Sequence, residues 1–327
     1  MKSIGIILAL FTVSFSFAQA SQTHKQIATI TQIQGQVQIF VNPSKKPIKD
    51  KSTDDGTMAF FEGEYYLIQK AKLGDQIQKD TIIRTLPNAQ VNVVYDNGDQ
   101  FHLGPGTAYR VTWNDKTELE ARIKLMYGRL RGVISKDGPR QKVEIRTRSV
   151  TMGVRGTDFF IADTGTAGET EISVIRGSVA VTADQKEQEV KTGMSATILA
   201  TEKTKAKVEL RETTKEDLGG IEKASTITLP VIPQESPQKL ATKIAELEKK
   251  ALTVTKKDIE LYQPELFKKM SVDIGSVKNS QDLNTKMLTM VATSAPSAPP
   301  KRAKPRITEF KDSDEGDVYD KYFKIDQ

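Results

Sequence analysis

Few residues in this chain could support catalysis or hold a metal ion. There is no cysteine, so a thiolate nucleophile and a thiolate metal site are excluded. The two histidines are His24 and His102, and neither lies in the Gly-x-Ser-x-Gly context of a nucleophile elbow. His102 alternates with apolar residues in QFHLG, which is typical of a strand face. We therefore expect a protein that is not an enzyme, with no catalytic residues, no metal site and no cofactor.

The acids of residues 96–99, DNGD, suggest a short calcium loop or a turn. The segment lacks the length and the closing glutamate of an EF-hand loop. Alternating apolar residues precede and follow it, and Asn-Gly between such runs is typical of a hairpin whose two turn residues both take positive φ. We therefore predict a type I′ hairpin turn here.

An apolar–Arg–Gly motif followed by a strand-like run occurs at 130–133, 154–157 and 175–178. Because glycine takes positive φ at low cost, a repeat of about twenty residues indicates corners at equivalent places in successive layers. The arginine of MGVRGTDFFI could present its charge to a partner, or it could lie part-buried and bond backbone carbonyls or an acid. We favour the second, architectural interpretation. The residues of this structural corner motif are Gly153, Val154, Arg155, Gly156, Thr157, Arg131, Gly132, Arg176 and Gly177.

The N-terminal residues 1–20 have the pattern of a cleavable signal peptide. Lys2 supplies the positive charge, residues 4–17 the short apolar run, and Ala18-Gln19-Ala20 the small-x-small cleavage site. We expect cleavage after Ala20, no membrane span in the mature chain, and a periplasmic or exported location. The net charge of +6 is spread along the chain without a cluster of arginine and aromatic residues, so no nucleic-acid partner is expected.

Residues 21–211 alternate apolar and polar side chains between recurrent turn signals. This pattern predicts an all-β main domain, either a twisted β-sandwich or a short β-solenoid-like fold. Residues 42–57 are polar, rich in lysine and without periodicity, which indicates a flexible insertion. The hairpin MAFFEGEYYLIQ follows. Its aromatic residues either pack on the main sheet through one ring of each pair or form a contact surface for a partner or glycan; they are Phe60, Phe61, Tyr65 and Tyr66.

The composition changes after Arg211. Residues 212–235 contain Gly-Gly and spaced prolines and are predicted to be a linker. Residues 236–291 carry apolar side chains at helical spacing and are predicted to form a small α-helical region. Residues 292–327 combine a Pro/Ala-rich linker with an acidic tail, and we expect this segment to be disordered.

Several ordered motifs together resemble the FecR domain family. They are LGDQIQKDTIIRT at 73–85, VVYDNGDQFHLGPGTAYRV at 93–111, GVRGTDF at 153–159, VIRGSVAV at 174–181 and VKTG at 190–193. The resemblance covers about residues 27–200. It implies an exported β-rich domain that transmits or scaffolds protein contacts without catalysis. Members that regulate sigma factors place a cytoplasmic helical segment and a membrane span before this domain. Because a cleavable signal is predicted instead, we expect a stand-alone exported member that does not bind a sigma factor directly.

Two functions remain open on this basis. The first is a non-catalytic periplasmic scaffold for protein interaction or signalling, with an envelope or periplasmic protein of unknown identity as its partner. The second is a protein that binds the cell envelope, through peptidoglycan or a surface glycan, by means of the lysine-rich insertion and the aromatic hairpin. The two differ in whether a protein or wall material is captured.

Overall fold

The computed structural model describes residues 26–47, 57–113, 120–137, 142–165, 168–201, 204–227, 237–269, 276–297 and 324–326. The described part is mostly β-strand with a small helical region near the C-terminus, which confirms the predicted fold class. The predicted signal peptide, and most of the predicted insertion and tail, lie outside the described residues. Within the described residues, no helix combines the length and apolar character needed to cross a membrane.

Nineteen strands and four helices follow one another along the described chain. The strands are β1 (Gln26–Gln34), β2 (Val37–Ser44), β3 (Met58–Phe61), β4 (Glu64–Lys70), β5 (Gln76–Gln78), β6 (Ile82–Thr85), β7 (Gln90–Tyr95), β8 (Gln100–Leu103), β9 (Thr107–Trp113), β10 (Glu120–Val133), β11 (Lys142–Arg146), β12 (Thr151–Val154), β13 (Asp158–Asp163), β14 (Glu169–Arg176), β15 (Ser178–Ala183), β16 (Lys186–Lys191), β17 (Met194–Thr201), β18 (Thr204–Glu212) and β19 (Lys324–Asp326). The helices are α1 (Lys215–Ser225), α2 (Gln238–Tyr262), α3 (Pro264–Lys269) and α4 (Ser280–Ser294).

The strands form two sheets that share β10, so of the two predicted architectures the sandwich is the one observed. The first sheet has the order β5-β1-β7-β8-β10-β13-β14-β17-β18. The second has the order β19-β3-β4-β2-β6-β9-β10-β11-β12-β15-β16. All these pairs are antiparallel except β10 with β11, which is parallel.

Strand β10 passes from one sheet to the other at Gly128. Residues 121–127 pair with β9 in the second sheet, whereas residues 128–133 pair with β13 in the first. Gly128 has φ +96°, and a Cβ there would lie 2.4 Å from the carbonyl oxygen of Gly106 and 2.4 Å from the Cα of Thr107. The crossing therefore requires glycine, because a side chain would meet backbone atoms that cannot rotate away.

The first sheet is covered on both faces. Phe159 and Ile161 of β13 point into the main core between the two sheets. Their neighbours Phe160 and Ala162 point the other way and pack with a second apolar cluster on the helices, formed by Leu218 and Ile221 of α1, Ile259 of α2, and Leu283, Met287, Leu288 and Val291 of α4. Since alternate residues of a strand face opposite sides, β13 is buried along its whole length. The helices thus pack on the outer face of the first sheet.

The predicted linker at 212–235 is wrong over its first half, because α1 occupies Lys215–Ser225. The hydroxyl of Thr214 accepts a hydrogen bond from the backbone N–H of Asp217, and the Asp217 carboxylate accepts from the backbone N–H of Thr214. This capping box starts the helix, and burial of Leu218 and Ile221 against the sheet offsets the low helix propensity of Gly219 and Gly220. Residues 228–236 lie outside the described residues.

Two further boundaries differ from the predictions. Strand β2 continues to Ser44, so residues 42–44 of the predicted flexible insertion are part of the sheet, while residues 48–56 lie outside the described residues. At the other end, α4 continues to Ser294 and β19 occupies Lys324–Asp326, both within the segment expected to be disordered. Residues 298–323 lie outside the described residues.

Candidate functional site

The aromatic hairpin β3–β4 is anchored by one ring of each pair. Phe61 and Tyr66 are 4% and 0% exposed and pack with Phe40 and Ile82 in a small core of the second sheet. Phe60 and Tyr65 lie on the opposite face, half-buried, with ring centroids 4.8 Å apart. The turn between the strands is Glu62-Gly63, with φ of 48° and 84°. The hairpin is therefore a fixed element that presents one pair of mutually tilted aromatic rings outward.

Charged side chains surround the hairpin tip. The Arg110 guanidinium lies 3.5 Å from the Glu62 carboxylate, 3.3 Å from that of Glu64 and 3.3 Å from that of Asp80. Lys124 also pairs with Glu62 and lies 5.5 Å from the Phe61 ring centroid. These contacts cross from β3–β4 to β9 and β10, and they fix the hairpin relative to the main sheet. These charged side chains lie on the side of the buried rings, since the Arg110 guanidinium is 5.9 Å from the Tyr66 ring centroid.

The outer edge of β3 pairs with an extended strand from the far end of the chain. Lys324, Ile325 and Asp326 of β19 lie opposite Phe60, Ala59 and Met58. Because Phe61 and Glu64 flank a two-residue turn, they form the pair that exchanges backbone hydrogen bonds on the β4 side. Alternation then directs the backbone groups of Phe60 and Met58 away from β4. The β3 edge thus has backbone groups that pair with an added strand, and here β19 of the same chain pairs with them.

Arg131 is buried in an ion pair between the sheet and two helices. Its Nε and Nη2 donate to the two carboxylate oxygens of Asp158 at 2.9 and 2.8 Å, and both side chains are 2% exposed. Nη1 reaches the hydroxyl of Ser225 in α1 at 3.3 Å, and Nη2 also donates to the carbonyl of Asn284 in α4 at 2.9 Å. One guanidinium therefore joins β10, β13, α1 and α4.

Arg176 makes the corresponding connection to α2. Its Nη1 donates to the Asp258 carboxylate at 2.5 Å, and both side chains are 2% exposed. The guanidinium also reaches the carbonyls of Gly156 and Ile134, at 3.4 and 3.5 Å. The second oxygen of Asp258 accepts the backbone N–H of Lys136 at 2.7 Å. This pair holds the last part of α2 against the ends of β10 and β14.

Arg155 differs from the other two motif arginines, because it is exposed. Its Nε donates to the carbonyl of Lys136 at 3.4 Å. The prediction of a part-buried residue was therefore wrong for Arg155. The reason is its place in the turn after β12, where none of the described helices buries it, whereas Arg131 and Arg176 lie in strands whose outer face the helices cover.

The glycines and small residues of the motif also occupy unequal positions. Gly156 and Gly177 have φ of +66° and +83°, as expected for corners. Gly132 instead lies inside β10, where a Cβ would come within 2.4 Å of the Phe159 ring. Gly153 lies inside β12 with open space around it, and Val154 and Thr157 are buried. The three motifs therefore have the same Arg-Gly sequence but differ in backbone conformation and in their positions in the fold.

His102 lies in the same buried region, opposite Arg131 in the β8–β10 pairing. Its Nε2 is 3.5 Å from the side-chain nitrogen of Asn284. Burial, and to a lesser degree the charge of Arg131, lowers the pKa of His102 to about 3. A neutral imidazole under the helices has no access to a substrate, and this agrees with a structural role. His24 lies outside the described residues.

The buried imidazole makes stability depend on pH. The pKa of His102 is about 3 in the folded protein and 6.5 when unperturbed. The contribution of the neutral imidazole to folding stability is therefore complete above pH 6.5 and is lost as the pH falls toward 3. We expect the wild type to lose about 2 kcal/mol more than His102→Gln between pH 7 and pH 5. Urea unfolding at both pH values measures this difference.

The pKa of Asp163 shifts in the opposite direction, because burial raises it to about 6. The contribution of Asp163 to folding stability is therefore lost as the pH rises through 6. Comparing two chains that both contain Asp163 cancels this effect. Equal losses in wild type and His102→Gln would contradict the assignment of the pH dependence to His102.

Sequence reasoning missed the partners of the buried arginines. Asp158, Ser225, Asp258 and Asn284 were not singled out, nor was Arg211, which pairs with Glu171 and with Asp217 of the α1 cap. One signal was available: Asp258 follows Ala251 and Thr255 at helical spacing on the buried face of α2. A charged residue in an apolar stripe indicates a buried partner.

A family model described as FecR protein matches residues 81–180, which confirms the predicted resemblance over that segment. The segment contains all three Arg-Gly motifs and Asp158, but neither the aromatic hairpin nor the helices. No curated protein matches the chain. Two crystal structures, at 2.50 and 1.65 Å, of a Parabacteroides distasonis ATCC 8503 protein described as an anti-sigma factor are similar to it. In each, identity is 17%, the TM-score is 0.35, and the alignment covers 40% of this chain and 59% of that one.

Proposed function

We propose, from the FecR domain at residues 81–180, that this chain is a non-catalytic periplasmic scaffold for protein interaction or signalling in the cell envelope. The family supports a regulatory rather than a catalytic role. The sequence pattern of residues 1–20 supports export. The partner is an envelope or periplasmic protein that contacts the β3–β4 hairpin.

One observation carries the assignment of this surface: the β3 edge pairs with an extended segment, the three-residue strand β19 of this chain, whose place a partner strand would take. An edge with outward-directed backbone groups accepts a peptide strand through main-chain hydrogen bonds, and adjacent side chains then provide selectivity. Phe60 and Tyr65 lie beside that edge as a half-buried pair of mutually tilted rings on an anchored hairpin. Rigid aromatic residues are frequent anchors of protein contacts because they bury a large area at low entropic cost.

The C-terminal helices are a less suitable contact surface. Their apolar faces pack on the first sheet and on each other, and two buried ion pairs hold them there. A partner would have to displace these contacts to reach the apolar faces. The helices therefore belong to the folded unit, and a chain ending at residue 235 should lose stability as well as any contact made by the tail.

Binding to peptidoglycan or a surface glycan is the second candidate, because an outward aromatic pair also suits contact with the face of a sugar ring. The two candidates depend on different atoms. Strand addition needs the backbone N–H of Met58, whereas sugar stacking needs the rings of Phe60 and Tyr65.

The test is cross-linking of the tagged, exported protein in its own cells followed by mass spectrometry. We expect one partner protein to be recovered with wild type and lost both with Phe60→Ala/Tyr65→Ala and with Met58→Pro, which removes an outward N–H donor. Leu210→Ala, an exposed apolar residue on β18, is the matched control and should retain the partner.

Pelleting with purified sacculi addresses the alternative. If the chain sediments with wall material, releases in salt, and loses this property with Phe60→Ala/Tyr65→Ala but not with Met58→Pro, the glycan function replaces the scaffold. Retention of the protein partner by both hairpin variants would contradict the proposed surface.

A further inference from the structure

Strand β18 forms one edge of the first sheet. Among the described strands it pairs only with β17, which lies on one side of it. The strands at the ends of the two sheets are β5, β16, β18 and β19, with three, six, nine and three residues. The β18 edge is therefore the longest row of backbone N–H and C=O groups that a further strand could bond.

Two backbone hydrogen bonds show which residues of β18 direct these groups outward. The N–H of Ala200 donates to the carbonyl of Gly168 beside β14, and the N–H of Thr213 donates to the carbonyl of Gly193. Since bonded and non-bonded pairs alternate in an antiparallel ladder, even-numbered residues of β17 bond β14, and odd-numbered residues of β17 and β18 bond each other. The residues of β18 with outward-directed backbone groups are Ala206, Val208 and Leu210.

The side chains of these three residues form an apolar row that continues the main core. Ala206 and Val208 are half-buried and pack against the core between the sheets. Leu210 follows at the two-residue spacing of a strand and is 40% exposed, although Ala196 opposite it on β17 is buried in that core. A strand added beyond β18 would cover Leu210.

The other face of β18 carries charges of both signs. Lys207 and Glu209 are 74% and 46% exposed, and their charged groups lie 2.8 Å apart. Arg211 is 8% exposed, and Glu171 and Asp217 already compensate its charge. The described part of this face thus presents a cation and an acid two positions apart.

This sequence is complementary to itself in one antiparallel register. A two-fold axis at Val208, the middle of β18, pairs the strand along its whole length and places Ala206 opposite Leu210 through the outward backbone groups. It also places Lys207 opposite Glu209 at two symmetric positions, and opposite charges across a strand pair are stabilising. An axis at Lys207 or Glu209 would instead place like charges opposite each other, and one at Ala206 or Leu210 would pair only part of the strand.

We infer that β18 is a self-association surface, at which a second copy of this chain adds its own β18 and forms a two-fold dimer with one continuous sheet. The occupant is a second copy because the apolar row and the opposite charges match in the same register. An edge with charges of one sign would repel such a copy. The surface lies on the first sheet, and it is independent of the β3 edge.

Sedimentation equilibrium of the full chain tests the association. We expect a monomer–dimer equilibrium between about 1 and about 500 μM, since one strand edge per copy makes a small interface. Leu210→Pro removes an outward N–H and no bond to β17, so the dimer should be at least about tenfold weaker while the melting temperature changes little. A monomer at every concentration, or an equally stable dimer of Leu210→Pro, would overturn the inference.

Charge reversal tests the register. Lys207→Glu and Glu209→Lys each place like charges opposite each other twice, and each should weaken the dimer about tenfold. The double variant Lys207→Glu/Glu209→Lys restores opposite charges and should dimerise like wild type. Lys191→Glu, a 73% exposed lysine beside Glu189 on the edge strand β16, is the matched control and should not weaken the dimer. A double variant as weak as the single ones, or equal weakening by the control, would contradict the pairing.

Introduced cysteines report the pairing directly, because the chain has none of its own. A mixture of the Lys207→Cys and Glu209→Cys chains should form a mixed disulfide on oxidation, since directly opposite residues of a non-bonded pair have Cα atoms about 4.5 Å apart. Each chain alone should cross-link less, because identical positions lie diagonally, about 7–8 Å apart. Absence of the mixed disulfide, or equal cross-linking of either chain alone, would overturn the proposed dimer.

Discussion

Arg176→Ala is expected to lower the free energy of unfolding by about 3–5 kcal/mol, because it leaves the Asp258 carboxylate buried without its cation. Both side chains are 2% exposed, so water cannot replace the lost partner. Arg131→Ala should lower the free energy of unfolding by a similar amount, because the Asp158 carboxylate would also be left buried without its cation. The hydrogen bonds from Arg131 to α1 and α4 would be lost as well. Urea unfolding at pH 7 measures both.

Arg155→Ala is the matched control within the same sequence motif. Its side chain is exposed and makes one long hydrogen bond, so we expect a change within about 0.5 kcal/mol. Three similar losses would contradict the division into two buried arginines and one exposed arginine.

The double replacement Arg176→Met/Asp258→Leu tests the stated cause. If the loss in Arg176→Ala arises from an unpaired buried charge, removing both charges should recover most of the stability, because apolar residues of similar volume often replace a buried pair at little cost. A double variant as unstable as the single one would mean that the loss comes from packing instead.

Gly128→Ala is expected to cost at least about 3 kcal/mol or to prevent folding, because it combines a positive φ with a backbone collision. The added Cβ would lie 2.4 Å from the Gly106 oxygen and the Thr107 Cα at the place where β10 changes sheets. Thermal unfolding followed by circular dichroism measures the loss.

Gly153→Ala is the control for Gly128→Ala. Gly153 lies in β12 without a positive φ, and a Cβ there would meet nothing within 4 Å. Its replacement should change stability by about 0.5 kcal/mol or less. If Gly128→Ala were as stable as Gly153→Ala, β10 would not need glycine to pass between the sheets.

The sequence predicted the β-domain because alternation is a local property that each strand displays by itself. It did not predict the role of the arginines, since Asp158 and Asp258 are 27 and 82 residues away from Arg131 and Arg176. The same Arg-Gly pair after an apolar residue produces two buried ion pairs and one exposed side chain. Which of these occurs depends on whether a helix covers the position, and that is decided by tertiary packing.

The geometry of the turns was also not determined by the local sequence alone. The predicted type I′ turn at Asn97-Gly98 was wrong, because only Gly98 has positive φ there and its N–H bonds the carbonyl of Tyr95. Both central residues of the Glu62-Gly63 turn have positive φ. Four residues separate β7 from β8, whereas two separate β3 from β4, so loop length rather than the Asn-Gly pair decided the turn type.

The α1 helix was missed because Gly219 and Gly220 indicate a break when they are considered locally. The Thr214–Asp217 capping box could be recognised in the sequence. The helix is favoured, however, by burial of its apolar side chains against β13 and α4, which the local sequence does not show. The aromatic hairpin was predicted either to pack on the main sheet through one ring of each pair or to form a contact surface. The structure places Phe61 and Tyr66 inside and leaves Phe60 and Tyr65 beside an edge occupied by β19.

The most direct test of the proposed scaffold is photo-cross-linking in the native cells from a single position. A photoreactive phenylalanine analogue in place of Tyr65 keeps an aromatic ring beside the β3 edge, and the same analogue in place of Leu210 serves as the control. We expect one discrete adduct to a different protein from position 65 and none from position 210. Adducts to wall material alone from position 65, or the same protein adduct from both positions, would contradict the proposed scaffold.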